Sequence, residues 1–183
     1  MEKKEWLVAY IKMHHEKKMR DEMLEKGIEC FLPVQKEIHQ WSDRKKKVER
    51  LIISMMIFVH VLPEERLEVL KLTSVSRYLV LHGENKPAVI RNSEMQQFMF
   101  IINNADKAVE ISKNSLIPGE KVEVTKGPLN GLKGELITVN GKKKIAVRIE
   151  GLGCATVEMS IDMIKKCESV SLTTPHKYHI NTT

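Results

Sequence analysis

The sequence has few of the features that mark secreted, disulfide-stabilised or membrane-spanning proteins. It contains only three cysteines, which lie far apart and form no C-x-x-C pair. This argues against a disulfide framework or a four-thiolate zinc site and favours a reducing compartment. No apolar segment typical of a signal peptide stands near the start. The longest apolar stretch, residues 51–62, is shorter than the roughly 20 residues that cross a bilayer. We therefore expect a cytoplasmic protein with no membrane partner.

The sequence also lacks the common patterns of enzymes. There is no G-x-x-x-x-G-K phosphate loop and no G-x-S-x-G nucleophile turn. His14 and His15 are adjacent, while His176 and His179 lie in a polar stretch without a nearby carboxylate. None of these histidines has the spacing of a metal site. We expect no catalytic residue, no metal and no cofactor.

Length and charge set broad limits on the fold and its partners. A chain of 183 residues is long enough for one or two domains. Hydrophobic residues make up 42% and charged residues 30%, a composition typical of globular proteins. The net charge of +6 permits an anionic partner without requiring one.

The first hundred residues alternate between strand and helix patterns. Residues 51–62 are apolar at both sets of alternating positions, which predicts a central strand covered on both faces. Residues 35–50 are polar and basic and predict a long hairpin. The other predicted strands are 6–11, 28–32 and 75–81, and the predicted helices are 15–26, 64–72 and 93–102, the last with a Ser93–Gln96 capping box.

The remainder of the chain has a different pattern. Residues 105–118 have no firm period and predict a linker with some strand tendency, and residues 169–183 predict a loose tail. Between them, five short alternating strands separated by glycine turns predict a small barrel. Its turns are marked by a run of spaced glycines and a proline, at positions where a turn or a close approach of two strands is expected. These residues are Gly119, Gly127, Pro128, Gly131 and Gly134.

This glycine pattern resembles the KOW motif of ribosomal proteins and of NusG-type transcription factors. The segments Trp-Leu-Val-Ala-Tyr at 6–10 and Gly-Ile-Glu-Cys-Phe-Leu-Pro at 27–33 resemble the opening of an NGN domain, the N-terminal domain of NusG. The block Trp-Ser-Asp-Arg-Lys-Lys-Lys-Val-Glu at 41–49 is similar to specialised NusG paralogues, the UpxY group and RfaH. The resemblance covers residues 6 to about 167.

The resemblance implies an α+β fold with two domains. Residues 1–104 are expected to form an NGN α/β sandwich, an antiparallel sheet with three helices. Residues 119–168 are expected to form a KOW domain, a small SH3-like β-barrel. Glycines and β-branched residues in the second domain disfavour a helical hairpin, so we expect a free barrel on a mobile linker that is not clamped onto the NGN domain.

The function implied by the resemblance is transcription elongation and antitermination. Such a protein binds the β′ clamp helices and β subunit of RNA polymerase and suppresses pausing, here for a capsular polysaccharide operon. The residues that match the family's polymerase-binding surface are Tyr10, Ile53, Met56, Phe58, Tyr78 and Leu79. The family's usual Phe-Pro-Gly-Tyr block is replaced by Ile-Ser-Met-Met at 53–56, so these methionines either repack against a partner or belong to the core.

The basic hairpin offers a second expected contact. Trp41, Arg44, Lys45, Lys46 and Lys47 either bind non-template or upstream DNA through phosphates and stacking or form a solvated tip. The resemblance implies that the barrel contacts either the termination factor Rho or a small-subunit ribosomal protein, and we expect the chain to be a monomer. The alternative function is a ribosome- or RNA-binding KOW module, which leaves the NGN-like half unexplained.

Overall fold

The computed structural model describes residues 3–40, 45–112, 117 and 119–167. Its helices are α1 (Glu16–Glu25), α2 (Arg66–Leu70) and α3 (Asn92–Asn104), with a short 3-10 helix at Ile161–Met163. The strands of the first half are β1 (Glu5–Ile11), β2 (Glu29–Phe31), β3 (Val34–Gln40), β4 (Lys45–Leu51), β5 (Met56–Val61), β6 (Val75–Tyr78) and β7 (Val89–Ile90). Those of the second half are β8 (Val109–Ser112), β9 (Glu120–Val124), β10 (Lys133–Val139), β11 (Lys142–Ile149), β12 (Gly153–Glu158) and β13 (Ile164–Lys166).

The first half forms a sandwich around an antiparallel sheet. Its strands run in the order β2-β5-β1-β6, and β7 also pairs with β1. Alternate residues of β1 and β5 point to opposite faces, which is why both sets had to be apolar. Leu7 and Val59 pack with α1 and α2 on one face, whereas Val8 and Phe58 pack with α3 on the other. The predicted α+β fold class is confirmed.

The predicted central strand at 51–62 is wrong in its first half. The chain leaves β4 at Leu51, turns, and enters β5 only at Met56. Met55 has a positive φ of 62°, and its N–H donates to Glu16 Oε1 at 2.9 Å. Glu16 is only 3% exposed. A long-range polar contact therefore holds the turn, and the local apolar pattern contains no sign of it.

Helix α3 begins differently from the prediction. Arg91 precedes the first helical residue, and no side chain caps the helix, so the expected Ser93–Gln96 capping box is absent. Arg91 Nε instead lies 2.9 Å from a carboxylate oxygen of Glu94. The apolar face follows the predicted spacing, because Phe98 and Ile102 are buried.

The second half forms the small barrel. Its strand order is β13-β9-β10-β11-β12-β8, around buried side chains that include Val122, Ile145 and Val157. Strand β8 lies within residues 105–118, the stretch predicted as a linker. It pairs with β12 from Cys154↔Ser112 to Val157↔Val109. The pairing joins segments more than 40 residues apart, so local periodicity could indicate a strand here but could not reveal which strand it pairs with.

Gly119 occupies a position that has no room for a side chain. A Cβ there would lie 2.0 Å from the backbone oxygen of Leu136. We expect Gly119→Ala to lower the unfolding free energy by about 3 kcal/mol through overpacking. The control is Gly141→Ala, where a Cβ meets nothing within 4 Å and only the positive φ of 75° is strained. Equal losses in denaturant titrations of the two variants would contradict this assignment.

Candidate partner-binding site between the sheet and the barrel

Three of the predicted docking residues lie together at one end of the sheet. Tyr10 and Met56 are opposite each other in the β1–β5 register, and the N–H of Leu79 donates to Val8 O at 2.8 Å. All three side chains are partly exposed and line a cavity of about 640 Å³. The sheet therefore presents an aromatic and apolar surface there that a partner could contact.

The other three predicted docking residues have no comparable exposed surface. Ile53 and Phe58 belong to the apolar cluster behind the same face and are 7% and 0% exposed. Tyr78 lies on the opposite face, because it pairs with Ala9 rather than with Tyr10. Its hydroxyl donates to Arg66 O at 2.9 Å, and burial raises its pKa to about 12. The structure thus brings together Tyr10, Met56 and Leu79 only.

A residue that the sequence analysis left out completes this surface. Arg77 pairs with Tyr10 across β1 and β6, and its guanidinium lies 5.0 Å from the centre of the Tyr10 ring. This is a cation–π distance. Strand alternation could have identified Arg77 from the sequence. Residues 77 and 79 point to the same face of an extended chain, whereas Tyr78 between them points to the other face.

The barrel covers the same surface. The cavity is open to solvent, and residues 148–154 of the barrel line its other side. Gly151 sits so close to the sheet that a Cβ would lie 2.7 Å from Leu81 Cδ2 and 3.4 Å from Leu79 Cδ2. A free barrel was expected, whereas here the barrel packs on the α/β unit. The buried face of α3 and the barrel interior form one apolar cluster, and this burial explains the closed arrangement.

Charged groups join the two units at the rim of the cavity. Arg91 Nη2 lies 3.5 Å from Glu150 Oε2. The backbone N–H of Glu150 donates to Glu94 Oε2 at 3.3 Å, and Glu94 in turn pairs with Arg91. Both side chains of the Arg91–Glu150 pair are largely exposed, so salt weakens this pair. They orient the barrel loop, while the apolar contacts supply most of the attraction.

One ion pair within the barrel lies against this loop. Arg148 donates to both carboxylate oxygens of Glu135 at 2.8 Å, and Gly119 N–H donates to the same carboxylate at 3.1 Å. The hydrogen bond from Arg148 holds the pKa of Glu135 below its usual range. Burial raises the pKa of the neighbouring Cys154 thiol.

The lowered pKa of Glu135 predicts a pH dependence of stability. The carboxylate stabilises the fold above the usual carboxyl range, and the contribution is lost as the pH falls through the lowered folded-state pKa. We expect Glu135→Gln to cost about 1–2 kcal/mol at pH 7 and progressively less as the pH falls through the lowered folded-state pKa. The control Glu123→Gln removes the looser 3.7 Å pair with Lys165. A Glu135→Gln deficit that does not change with pH in denaturant titrations would contradict this assignment.

The basic hairpin consists of β3 and β4, which pair from Val34↔Leu51 to Gln40↔Lys45. Lys45, Lys46 and Lys47 occupy the first three positions of β4. Trp41 and Arg44 lie outside the described residues. At the base of the hairpin, Lys17 of α1 lies 3.0 Å from Glu49 of β4, and this pair fixes the hairpin to the sandwich.

The predicted turn residues Gly127, Pro128 and Gly131 lie in the loop between β9 and β10. The N–H of Gly131 donates to Val124 O at 2.8 Å, which closes the loop. Leu129 and Leu132 of the same loop are buried. The predicted Gly134 lies in β10, where a Cβ would meet Ala146 O at 2.7 Å. The glycines thus allow close packing of the loop and strands, and none of them faces the cavity.

Neither a metal site nor a membrane-spanning helix is found among the described residues. Within ranges 3–40, 45–112 and 119–167, no group of three or more His, Cys, Asp or Glu side chains could hold a metal ion. Among the helices of this described part, none is long and apolar enough to cross a membrane.

Comparisons with known proteins find a family model and several solved structures that are similar to this chain. The family model described as "Transcription termination factor nusG" matches residues 4–99. A solved structure described as "Domain interaction in Thermotoga maritima NusG" is similar at 17% identity with a TM-score of 0.51, over 91% of this chain and 98% of that chain. Two conformations of the MjSpt4:Spt5 complex align over 88% and 90% of this chain and 97% of each of theirs, at 11% and 15% identity with TM-scores of 0.29 and 0.30. No curated protein matches the sequence.

Proposed function

This chain belongs to the NusG family of transcription factors, and from that premise we propose that it binds RNA polymerase during elongation and suppresses pausing and termination. The proposed contact is with the clamp helices of the β′ subunit, and a bound NGN domain would also reach the β subunit. Such a protein acts by favouring one conformation of the polymerase. Preferential binding by about 1.4 kcal/mol shifts the ratio of two conformations tenfold (RT ln 10 at 25 °C), so no catalytic group is required.

The observation that carries this proposal is the surface formed by Tyr10, Met56 and Leu79. It joins an aromatic ring, a flexible thioether and an aliphatic side chain on a rigid sheet. Aromatic residues and methionine are enriched in protein interfaces, and an unbranched methionine adapts to the groove between two partner helices. Arg77 beside Tyr10 adds a charge that acidic residues of a partner could pair with.

Docking of a partner on this surface requires the barrel to move. Residues 148–154 line the opposite side of the cavity in front of this surface, and the proposed clamp helices would need that space. Binding of polymerase therefore requires that the barrel move away from Leu79 and Leu81. The apparent affinity is then reduced by the fraction of molecules that are open.

The hairpin is the proposed contact to nucleic acid. Arg44, Lys45, Lys46 and Lys47 place four positive charges at four consecutive positions of the sequence, and Trp41 supplies a ring for stacking on an exposed base. The proposed ligand is the non-template strand or the upstream duplex. We expect the phosphate contacts to strengthen binding without selecting a sequence.

NusG proteins are either general factors or specialised antiterminators, and the sequence bears on which kind this chain is. The resemblance at residues 41–49 favours a specialised antiterminator of the UpxY or RfaH type, acting on a polysaccharide operon. RNA sequencing of a deletion strain tests this proposal. We expect loss of reads from the distal genes of one long operon, whereas a general factor would change many transcription units.

Binding of the full chain to a β′ clamp-helix fragment tests the docking surface. We expect Met56→Asp to weaken binding at least about tenfold, because truncation or charge at an interface hot spot costs about 2 kcal/mol or more. Leu70→Asp is the matched control, since Leu70 is a partly exposed apolar residue of α2 on the other side of the sheet. Equal affinities of wild type and both variants would contradict the proposed surface.

A further inference from the structure

A second cavity lies at the start of β1, whereas the proposed docking surface lies at the end of that strand. Its volume is about 720 Å³, which is typical of sites for small molecules. The residues that line it include three cations, a buried aromatic ring and an exposed apolar side chain, namely Lys3, Lys4, Arg91, Trp6 and Val89. The cavity therefore combines positive charge with apolar surface.

Two of the three cations at this cavity have no partner of their own. Arg91 pairs with Glu94 and Glu150. The two lysine side chains make no ion pair or hydrogen bond in the part of the chain that the structure describes. The acidic residue of the lining, Glu5, is already paired with Arg66. The described residues therefore leave two positive charges at the cavity without a counter-charge.

Helix α3 begins at this cavity with backbone donors that the helix leaves unpaired. Arg91 precedes the helix in an extended conformation and no side chain caps it, and Asn92 and Ser93 line the cavity. The Met95 N–H donates to Arg91 O at 3.0 Å. The N–H groups of residues 92–94 have no acceptor within the helix. Such groups, at the positive end of the helix dipole, are suited to bind phosphate oxygens.

The indole of Trp6 provides an observation that is independent of the helix. Trp6 is 4% exposed, and its ring stacks on that of His60 with the ring centres 4.6 Å apart. No described residue accepts a hydrogen bond from the indole N–H. The indole nitrogen is not fully enclosed either, because Arg66 Nε is the fully enclosed side-chain atom without a partner in the described chain. A buried tryptophan usually has a partner for its N–H, and here the donor is left for an acceptor inside the cavity.

We propose that this cavity binds a small organic phosphate. The two lysines, the first N–H groups of α3 and the Trp6 indole hold the phosphate, and the organic part lies against Val89. A phosphate monoester carries nearly two negative charges and three acceptor oxygens at neutral pH, which matches this set of donors. A carboxylate or a phosphodiester carries a single charge and leaves part of the set unused. The proposal does not depend on polymerase binding, because none of these donors belongs to the docking surface.

Titration of the full ¹⁵N-labelled chain with adenosine monophosphate tests the site, with adenosine and inorganic phosphate as matched probes. The chain has two tryptophans, so the indole signal that remains in Trp41→Phe belongs to Trp6. We expect adenosine monophosphate to shift this signal and the amides of residues 92–94, inorganic phosphate to do so with lower affinity, and adenosine to have no effect. Absence of these shifts, or equal binding of adenosine, would overturn the proposal. Equal affinity for inorganic phosphate, or shifts produced by a single-stranded oligonucleotide alone, would overturn the assignment to a small organic phosphate.

Variants of the lysines and of the helix start locate the binding. Lys3→Gln combined with Lys4→Gln should weaken binding at least about tenfold, because it removes two charge-assisted contacts. Lys165→Gln combined with Lys166→Gln removes the same charge from exposed positions of β13 and should leave the affinity unchanged. Asn92→Pro should weaken binding while the helix persists, since proline suits the first helical position and lacks the N–H. Equal losses in the two lysine variants, or an unchanged affinity in Asn92→Pro, would contradict the assigned site.

Discussion

Replacing Gly151 with Gln is expected to release the barrel and to raise the affinity for the β′ clamp-helix fragment about tenfold. A Cβ at this position would lie 2.7 Å from Leu81 Cδ2, the end of a flexible side chain that can shift to admit a methyl group. The longer glutamine side chain also needs the space beside Leu79, so it presses the two units apart. Overpacking of this kind costs about 1–3 kcal/mol, and opening removes the clash. The apparent affinity rises in proportion to the open fraction, for as long as the closed form dominates.

The control for this prediction is Gly141→Gln. Gly141 has a φ of 75°, close to the 76° of Gly151, but a Cβ there meets nothing within 4 Å. Both variants therefore carry the same backbone strain, and only one carries the clash between the units. Equal fragment affinities for the two variants, or a Gly151→Gln protein whose units still tumble together, would show that the barrel does not restrict access.

Removing the charge of the hairpin is expected to have the second large effect. With Arg44, Lys45, Lys46 and Lys47 replaced by Gln, we expect binding to elongation complexes to fall about a hundredfold or more at 50 mM salt. The slope of log affinity against log salt should become shallower by about 3 to 4, since each phosphate contact contributes about 0.9. Binding to the isolated clamp-helix fragment should stay unchanged.

A second lysine run provides the control. Lys142 and Lys144 of β11 pair with Glu158 at 2.9 Å and Glu110 at 2.6 Å, so their charges are partly neutralised. Replacing residues 142–144 with Gln should leave the salt slope nearly as it is in wild type. If the hairpin variant binds elongation complexes like wild type at every salt concentration, the hairpin is a solvated tip.

The sequence predicted the local elements of the fold well. Strand β1 and helix α3 have apolar residues at the spacings that burial requires, and both form where expected within one or two residues. The glycine spacing from residue 119 indicated close strand packing, and Gly119 indeed leaves no room for a Cβ. These features depend on neighbours in sequence, so a pattern can reveal them.

Long-range contacts account for the parts that the sequence did not predict. The Glu16 carboxylate accepts a hydrogen bond from the turn before β5, and β8 pairs with β12, more than 40 residues further along the chain. The barrel packs on the sheet through α3 and residues 148–154, which are far apart in the chain. Tyr78 was assigned to the docking surface by family position, while its register with Ala9 places it on the opposite face.

The lifetime of RNA polymerase at a defined pause site, measured with and without the full chain, tests the central claim most directly. Wild type should shorten the pause and increase read-through of a terminator, and Gly151→Gln should do so at lower concentration. Met56→Asp should lose the effect, while Leu70→Asp should keep it. Pause lifetimes and read-through that do not change at saturating wild-type protein would contradict the account.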